Sequence, residues 1–248
     1  MHCILLKTDF PAEGTKAFSL QADAAHHLRD VLRAKRGDTV RLINGSGLAR
    51  DARVVSLSHR DVLLEPVGST LELPPPPAFI TLFQCVAKPS RMDWLLEKTA
   101  ELGVAQLVPV LSAHTVAHLK KGDCPERWQR ILDSALCQCN AAWETALEPA
   151  VDWKQAIGMM RDFPGPVFIG AIVPNATPIA QALREHPIPH GSKAALLIGP
   201  EGDFSPDELA EAIALPNAIP VSLGNRILRV ETASVYALAN LLAAAQLP

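Results

Sequence analysis

The chain has 248 residues, of which 48% are hydrophobic and 20% are charged, and its formal net charge is -3. This length predicts one small and one medium domain, and the composition excludes a disordered tail or a coiled coil. Aromatic residues make up only 5% of the chain, which argues against a single-strand nucleic-acid binder built on stacked bases.

The chain contains no run of the roughly 20 apolar residues that a transmembrane helix needs, and its N-terminus has no basic head or cleavage site of a secretion signal. We therefore expect a cytoplasmic protein with no membrane contact. The five cysteines form no Cys-x-x-Cys pair, which predicts reduced, buried thiols and no metal. A zinc site of Cys124, Cys137 and Cys139 and a ligand pair of His114 and His118 are the weaker alternatives.

Residues 1–73 are predicted to form a small β-barrel of hairpins. The stretches 38–43, 49–57 and 61–66 are short, rich in Val and Leu, and separated by turn residues. One helix, over residues 21–33, interrupts them. Four consecutive prolines then predict an extended linker over residues 74–78, because proline fits neither a helix interior nor a paired strand.

Residues 79–248 alternate apolar runs with helical patterns, which predicts a mostly parallel sheet covered by helices on both faces. The predicted strands span residues 79–86, 106–111, 167–172, 193–198 and 219–222. The predicted helices span residues 91–102, 125–139, 179–185, 206–214 and 232–245. In the last helix Val235, Leu238, Ala239 and Leu242 form an apolar stripe that fits either the core or a subunit interface.

The net charge hides a basic window between His26 and Arg60. This window has eight Lys or Arg residues, seven of which are Arg, against three Asp residues. A cluster rich in Arg suits phosphate contacts and the recognition of RNA shape, although a solvated face of a small barrel has a similar composition.

Two loops after predicted strands carry the chemistry. The first, Gly199-Pro200-Glu201-Gly202-Asp203, leads into a helix with Ser205 as N-cap, Pro206 in the first turn and Glu208 completing a capping box. Ligands of parallel α/β sheets bind at the carboxyl ends of strands, where this loop lies. The sequence has neither a GxxxxGK[ST] phosphate loop nor a GxGxxG dinucleotide fingerprint.

The second loop runs from Leu223-Gly224 through Arg229 to a helix that begins near Thr232. Its apolar residues Ile227 and Leu228 can form walls for a flat heterocycle, with Arg226, Arg229 and Glu231 near them. The alternative interpretation is a capped helix start with a local Arg–Glu pair.

These two loops, LIGPEGDFSPDE and LGNRILRVETA, resemble the signature loops of the RsmE-like family of small-subunit rRNA uridine-N3 methyltransferases, within the SPOUT superfamily. The stretches 88–94 and 97–104 resemble the same family's KatELGV segment. Residues 27–45 resemble its N-terminal VLR...GD...G pattern. The resemblance therefore extends over nearly the whole chain.

The resemblance implies a PUA-like RNA-binding β-barrel over residues 1–73 and a SPOUT methyltransferase domain of α/β class with a C-terminal trefoil knot over residues 79–248. It further implies S-adenosylmethionine as methyl donor, a homodimer, and 16S rRNA within the assembled 30S subunit as substrate. The implied cofactor-binding residues are Leu197, Gly199, Pro200, Glu201 and Gly202 on one wall and Leu223, Gly224, Ile227 and Leu228 on the other.

The chemistry of such a transfer suggests roles for charged residues. The uridine N3 is a poor nucleophile while protonated, so a site must position the base and favour loss of that proton. Arg229 is expected to stabilise negative charge on the uracil oxygens, and Glu201 or Glu231 to accept the proton. Arg29, Arg33 and Lys98 are the candidate RNA-binding residues, although Lys98 can equally form an i, i+3 pair with Glu101.

Three positions depart from the family pattern. Ala141 stands three residues after Gln138, where the family usually has Arg; His114 lies where it often has Arg; and Asp203 replaces a glycine. These departures leave two alternatives open, namely methylation of another rRNA or tRNA nucleotide, and an RNA-binding assembly factor with weak catalysis.

Overall fold

The computed structural model describes residues 2–7, 10–11, 15–58, 61–116, 119–174 and 176–246. Two predicted positions, Arg60 and His118, lie outside these residues. The chain divides into two compact units, one of Met1–Pro75 with Asp133–Glu144, the other of Pro76–Leu132 with Thr145–Pro248.

The first unit contains a five-stranded sheet in the order β1-β3-β4-β5-β2. Its strands are β1 (His2–Leu5), β2 (Phe18–Gln21), β3 (Thr39–Ile43), β4 (Leu48–Leu57) and β5 (Asp61–Glu72). Strands β3, β4 and β5 pair antiparallel as the predicted hairpins, whereas β1 pairs parallel with β3. Alternate side chains of β3 and β4, among them Val40, Leu42 and Val54, form the buried core.

The helix predicted over residues 21–33 is shorter in the structure and changes its winding. Helix α1 (Ala22–His26) passes into a π-helical turn over His27–Val31, in which Leu32 N donates to His27 O at 2.9 Å. Arg33 then adopts a left-handed conformation (φ 54°), which ends the helical winding before the predicted boundary.

The segment Asp133–Glu144 supplies part of the core of the first unit. Leu136 and Ala142 pack with Cys3, Ile43 and Ala49 in one buried cluster. Helix α3 (Glu126–Cys139) thus contributes its first half to the second unit and its second half to the first. Nothing in the hydrophobic pattern of the sequence indicates this division of one helix.

The thiols differ in exposure. Cys3 and Cys85 are buried as predicted, and Cys137 and Cys139 are half-buried. Cys124 is exposed, so the prediction is wrong at that position. A hydrogen bond with Cys137, together with burial, raises the pKa of the Cys3 thiol, and burial raises that of Cys85. Among the described residues, no group of three or more His, Cys, Asp or Glu side chains is placed to hold a metal ion.

The second unit contains an eight-stranded parallel sheet in the order β11-β13-β10-β12-β6-β7-β8, with β9 also paired to β7. The strands are β6 (Phe79–Cys85), β7 (Gln106–Leu111), β8 (Ala146–Leu147), β9 (Val151–Asp152), β10 (Val167–Gly170), β11 (Thr177–Pro178), β12 (Lys193–Ile198) and β13 (Ala218–Ser222). The predicted parallel sheet is confirmed, although β10 ends two residues before the predicted boundary.

Helices cover both faces of this sheet, as predicted. They are α2 (Pro89–Glu101), α4 (Trp153–Arg161), α5 (Ile179–Glu185), α6 (Pro206–Ile213) and α7 (Val230–Ala245), besides α3. Phe83 and Cys85 of β6 pack in a cluster with Ile157 of α4 and Ala212 of α6. Gln84, between them, points the other way and accepts a hydrogen bond from Ser234 of α7 at 2.6 Å.

The buried stripe of α7 differs from the predicted one. Leu238 and Leu242 are buried, but Ala239 is exposed and Val235 is half-buried. The stripe runs instead through Val230, Ser234, Ala237, Leu238, Leu241, Leu242 and Ala245. It packs on α2, α5 and β12, so most of this apolar surface is core. In the described part of the chain, no helix is long and apolar enough to cross a membrane.

Candidate functional site

A cavity of about 540 Å³ opens at the carboxyl ends of β10, β12 and β13 in the second unit. Its lining comprises residues 170–173, 198–201 with Asp203, 222–230 with Ala233, and Arg91 of α2. The volume lies in the range of pockets that bind small molecules and cofactors. Three parallel strands therefore deliver three loops to one site, as expected for ligand binding in open α/β sheets.

Two glycines of these loops lie at positions that a side chain would disturb. A Cβ atom on Gly170 would lie 2.7 Å from Cδ1 of Ile198, so a larger residue would require the Ile198 side chain to shift. Gly224 has φ +117°, a conformation that side chains rarely adopt. The site is therefore lined by exposed backbone as well as by side chains.

The first loop ends in the predicted capping box. Ser205 N donates to Glu208 Oε2 at 2.9 Å, and Glu208 N donates to Ser205 Oγ at 3.3 Å. The other oxygen of the buried Glu208 carboxylate accepts Ala113 N at 2.7 Å. Helix α6 thus starts at a fixed point, which holds the C-terminal end of the loop in place.

The same loop contains the departure at Asp203, which has a left-handed backbone (φ 60°). Its side chain accepts Phe204 N at 2.9 Å, and its carbonyl oxygen accepts a hydrogen bond from His114 Nδ1 at 3.0 Å. Asp is one of the few residue types that adopt this conformation with a compensating local hydrogen bond. Two of the three departures from the family pattern therefore contact each other in this chain.

The second loop brings Arg229 to the cavity. Arg229 is the N-cap residue of α7, so the helix begins two residues earlier than predicted, and Glu231 lies in its first turn. The Arg229 side chain is exposed and makes no hydrogen bond or ion pair with any residue that the structure describes. A cation at the cavity that no acid neutralises is available to a ligand.

A second arginine at the cavity, Arg91, is paired. Its Nη1 atom lies 3.2 Å from Glu201 Oε1, and its Nε atom lies 3.9 Å from Glu231 Oε2. Glu201 Oε1 also accepts the backbone N–H of Lys88 at 3.1 Å. One guanidinium therefore lies between a carboxylate of the first loop and a carboxylate in the first turn of α7.

The structure brings together most of the cofactor-binding residues suggested by the resemblance. Gly199, Pro200, Glu201, Leu223, Gly224, Ile227 and Leu228 line the cavity, as does Arg229. Leu197 and Gly202 do not: Leu197 is buried in the sheet core, and a Cβ atom on Gly202 would lie 2.9 Å from that of His114. Ile227 is 87% exposed and contributes only the edge of a wall.

Sequence reasoning missed two parts of the lining, Arg91 and the loop 170–173. Arg91 was placed in a motif and on a helix, but no spacing rule relates it to loops more than a hundred residues later. The loop 170–173 follows a buried strand at the same sheet edge as the other two loops, which is the signal that could have found it.

Two of the candidate RNA-binding residues are engaged in ion pairs. Arg29 donates to Asp30 and lowers the pKa of that carboxyl to about 2, and its Nη1 also donates to the carbonyl of Ser58. Lys98 contacts Glu101 and Glu97, each at 2.7 Å, and these hydrogen bonds raise its pKa. The third candidate, Arg33, is exposed.

The basic window likewise divides into engaged and exposed residues. Arg41 pairs with Asp51, and the buried Arg50 donates to the carbonyls of Pro11 and Gly68. Exposed cations remain at Arg33, Lys35, Arg36 and Arg53. Gly37 N donates to Val54 O at 2.8 Å, which brings the loop that carries Lys35 and Arg36 beside Arg53. We define these four residues as the basic patch.

Comparisons with known proteins agree with this geometry. Residues 74–242 match the model of an RNA methyltransferase domain, and residues 20–67 match that of an RNA methyltransferase PUA domain. Ribosomal RNA small subunit methyltransferase E of Synechocystis is 31% identical over 220 residues, which cover 87% of this chain and 69% of that protein. The protein of the same name from Bacillus subtilis is 26% identical over 91% of this chain and 90% of its own length.

A solved structure extends the similarity to three dimensions. Ribosomal RNA small subunit methyltransferase E from Neisseria gonorrhoeae, bound to S-adenosylmethionine, superposes with a TM-score of 0.84 at 26% identity, covering 98% of this chain and 97% of that one. The fold and the site define an RNA methyltransferase with a PUA domain. The chain belongs to the RsmE family of small-subunit rRNA methyltransferases within the SPOUT superfamily, as its motifs predicted.

Proposed function

We propose that this protein transfers a methyl group from S-adenosylmethionine to N3 of a uridine in 16S rRNA. The observation that carries the proposal is the cavity at the carboxyl ends of β10, β12 and β13, where the unpaired Arg229 lies beside loops matching the family signatures. Relatives of the same family are small-subunit rRNA methyltransferases, and one of them binds S-adenosylmethionine.

The residues of the cavity fit the methyl donor. Backbone of Gly199 and Gly224 lines the cavity, and Leu223 and Leu228 offer apolar walls for its adenine ring. When bound, S-adenosylmethionine supplies an electrophilic methyl group on a sulfonium. The chain itself then has to hold the uracil base in line, keep water away from it and accept the N3 proton.

Arg229 suits the stabilisation of the uracil anion. When the N3 proton leaves, negative charge spreads over the two flanking carbonyl oxygens, and a guanidinium within hydrogen-bond distance stabilises that charge. The N3 lone pair would then be available to the methyl group of a donor held by the cavity, and the donor's sulfonium sulfur would leave as a neutral thioether. A carboxylate, Glu201 or Glu231, accepts the proton directly or through one water molecule.

The RNA is held by cations of the first unit. The basic patch of Arg33, Lys35, Arg36 and Arg53 is exposed and suited to phosphate contacts in an RNA helix or loop. Arg29 and Lys98 remain predictions, because acidic neighbours offset their charge in the structure.

Three further features are part of the proposal. The first unit is a PUA-like barrel, the C-terminal part of the second unit is threaded into a trefoil knot, and two copies of the chain form a homodimer. The substrate is the assembled 30S subunit, so the enzyme acts in the cytoplasm. The superposition with the Neisseria gonorrhoeae relative supports the fold, because it extends over nearly the whole of both chains.

The direct experiment is methyl transfer with purified protein. Tritium-labelled S-adenosylmethionine is offered with 30S subunits from a strain that lacks the gene, and mass spectrometry maps the modified nucleotide. We expect one N3-methyluridine in 16S rRNA. Methylation of a different nucleotide would show that the proposed target is wrong. Donor binding without any methyl transfer would favour an RNA-binding assembly factor.

The role of Arg229 is tested in the same assay. We expect Arg229→Ala to lower kcat by about 100-fold, as the loss of one oxyanion donor does elsewhere, while the Kd of the donor changes little. Arg226→Ala is the matched control, since both arginines line the same loop and are exposed. An equal loss in the two variants would contradict the specific role of Arg229.

A further inference from the structure

The carboxylate of Glu201 connects the first loop of the cavity to the start of helix α2. Its Oε1 atom accepts two hydrogen bonds, from Lys88 N at 3.1 Å and from Arg91 Nη1 at 3.2 Å. Lys88 is the N-cap residue of α2 and has no side-chain cap, so this carboxylate satisfies one of the free N–H groups at the helix start. Two donors occupy the lone pairs of Oε1.

Arg91 extends the connection to the other wall. Its Nε atom lies 3.9 Å from Glu231 Oε2, an oxygen that is buried and has no hydrogen-bond partner among the described residues. The Glu201 and Glu231 side chains are only 19% and 15% exposed, and Arg91 is 32% exposed, so solvent screens these charges less than at the surface. The first turn of α2 thus reaches both the β12 loop and the start of α7.

We propose that Arg91 and Glu201 form a clasp that sets the separation of the two cavity walls, with Arg91 as a positioning residue for the methyl donor. In this arrangement Glu201 acts through Arg91 and Lys88 and not as the proton acceptor. Of the two carboxylates, that role is then left to Glu231, which Arg91 approaches only to 3.9 Å. The inference rests on the proposed methyl transfer and deepens it, because it assigns different tasks to the two carboxylates.

Donor binding without RNA tests the clasp independently of turnover. Isothermal titration with S-adenosylmethionine is compared for the wild type, Arg91→Gln, Glu201→Gln and the double variant. We expect each single substitution to raise the donor Kd by about 10-fold, since each removes a charge-assisted hydrogen bond that orders the wall. The double variant should be hardly weaker than either single one, because both remove the same contact.

Two further variants distinguish positioning from general loss of structure. Arg127→Gln is the matched control, because Arg127 also pairs with a residue of α2, Asp93, but does not line the cavity. Its donor Kd should equal that of the wild type. Arg91→Lys keeps the charge and should recover part of the affinity lost in Arg91→Gln, provided that thermal unfolding shows both to be folded.

Single-turnover rates, measured with saturating donor and RNA, distinguish the two possible roles of Glu201, namely proton acceptor and part of the clasp. A clasp predicts that Glu201→Gln loses mainly donor affinity and far less of this rate than Glu231→Gln, which loses about 100-fold or more. A 100-fold loss in Glu201→Gln with an unchanged donor Kd would overturn the inference. Wild-type protein that binds no donor would instead overturn the proposed function.

Discussion

At the scale of single residues, the departure at Asp203 shows how a side chain is accommodated where the family has a glycine, in a loop that lines the cavity. The left-handed backbone is tolerated because the carboxylate accepts its neighbour's N–H, and His114 holds the carbonyl from outside. In the sequence alone, the departures at Asp203 and His114 look unrelated. The structure shows that they are in contact.

This contact predicts an order of stability among substitutions at position 203. Asp203→Ala keeps the left-handed backbone but loses the local hydrogen bond, so we expect it to lower the free energy of unfolding by about 1 kcal/mol. Asp203→Asn retains an acceptor and should stay within about 0.5 kcal/mol of the wild type. Urea denaturation measures both values, and a tolerated alanine would contradict the role given to the side chain.

At the scale of elements, one buried hydrogen bond joins helix α7 to the sheet. Ser234 Oγ donates to Gln84 Oε1 at 2.6 Å, and both residues are fully buried. Gln84 Nε2 is satisfied by the carbonyl of Cys85 at 2.9 Å. Because Arg229 and Glu231 lie at the start of α7, this bond helps to fix the helix that carries them.

We expect Ser234→Ala to cost about 1–3 kcal/mol, because it leaves the Gln84 carbonyl oxygen buried without its donor. Combining it with Gln84→Met should recover most of the loss, since both polar groups are then absent. Thr232→Ala, at an exposed position of the same helix, is the control. Calorimetric unfolding is compared for the wild type, Ser234→Ala, Gln84→Met, the double variant and the control, and an additive double variant would disprove the coupling.

The secondary-structure elements also show which features can be predicted from the sequence alone. Strands such as Gln106–Leu111 and Lys193–Ile198 and the capping box at Ser205 were predicted at their observed positions, because each depends on neighbouring residues. The π-helical turn at His27–Val31 was not, because local spacing hardly distinguishes it from an α-helix. Arg91 was missed as a cavity residue since only the tertiary fold brings α2 to the loops.

At the scale of the whole molecule, charge is distributed unevenly between the two units. A net charge of -3 taken alone argues against an RNA partner, yet the exposed cations of the basic patch lie together in the first unit. Arg41 and Arg50, which the sequence counts equally, are engaged within that unit. Exposure, which composition does not report, decides which arginines can contact phosphate.

The basic patch predicts a salt-dependent affinity for RNA. Replacing Arg33, Lys35, Arg36 and Arg53 by Gln should weaken binding, and each lost phosphate contact should reduce the slope of log Kobs against log salt by about 0.7–0.9. Arg184→Gln, an exposed cation of the second unit, should leave the slope unchanged. Filter binding of 16S rRNA over a series of salt concentrations measures this slope. Equal slopes for all proteins would show that the basic patch does not contact RNA.

The division of helix α3 between the two units has a consequence for inheritance. A cut at the proline run would remove Leu136 and Ala142 from the cluster that they form with Cys3, Ile43 and Ala49, and would expose those side chains. Recombination at this apparent boundary would therefore yield a damaged half rather than an exchangeable module. Selection is expected to keep the two units in one gene, where a change in one half of the helix is tested together with the other.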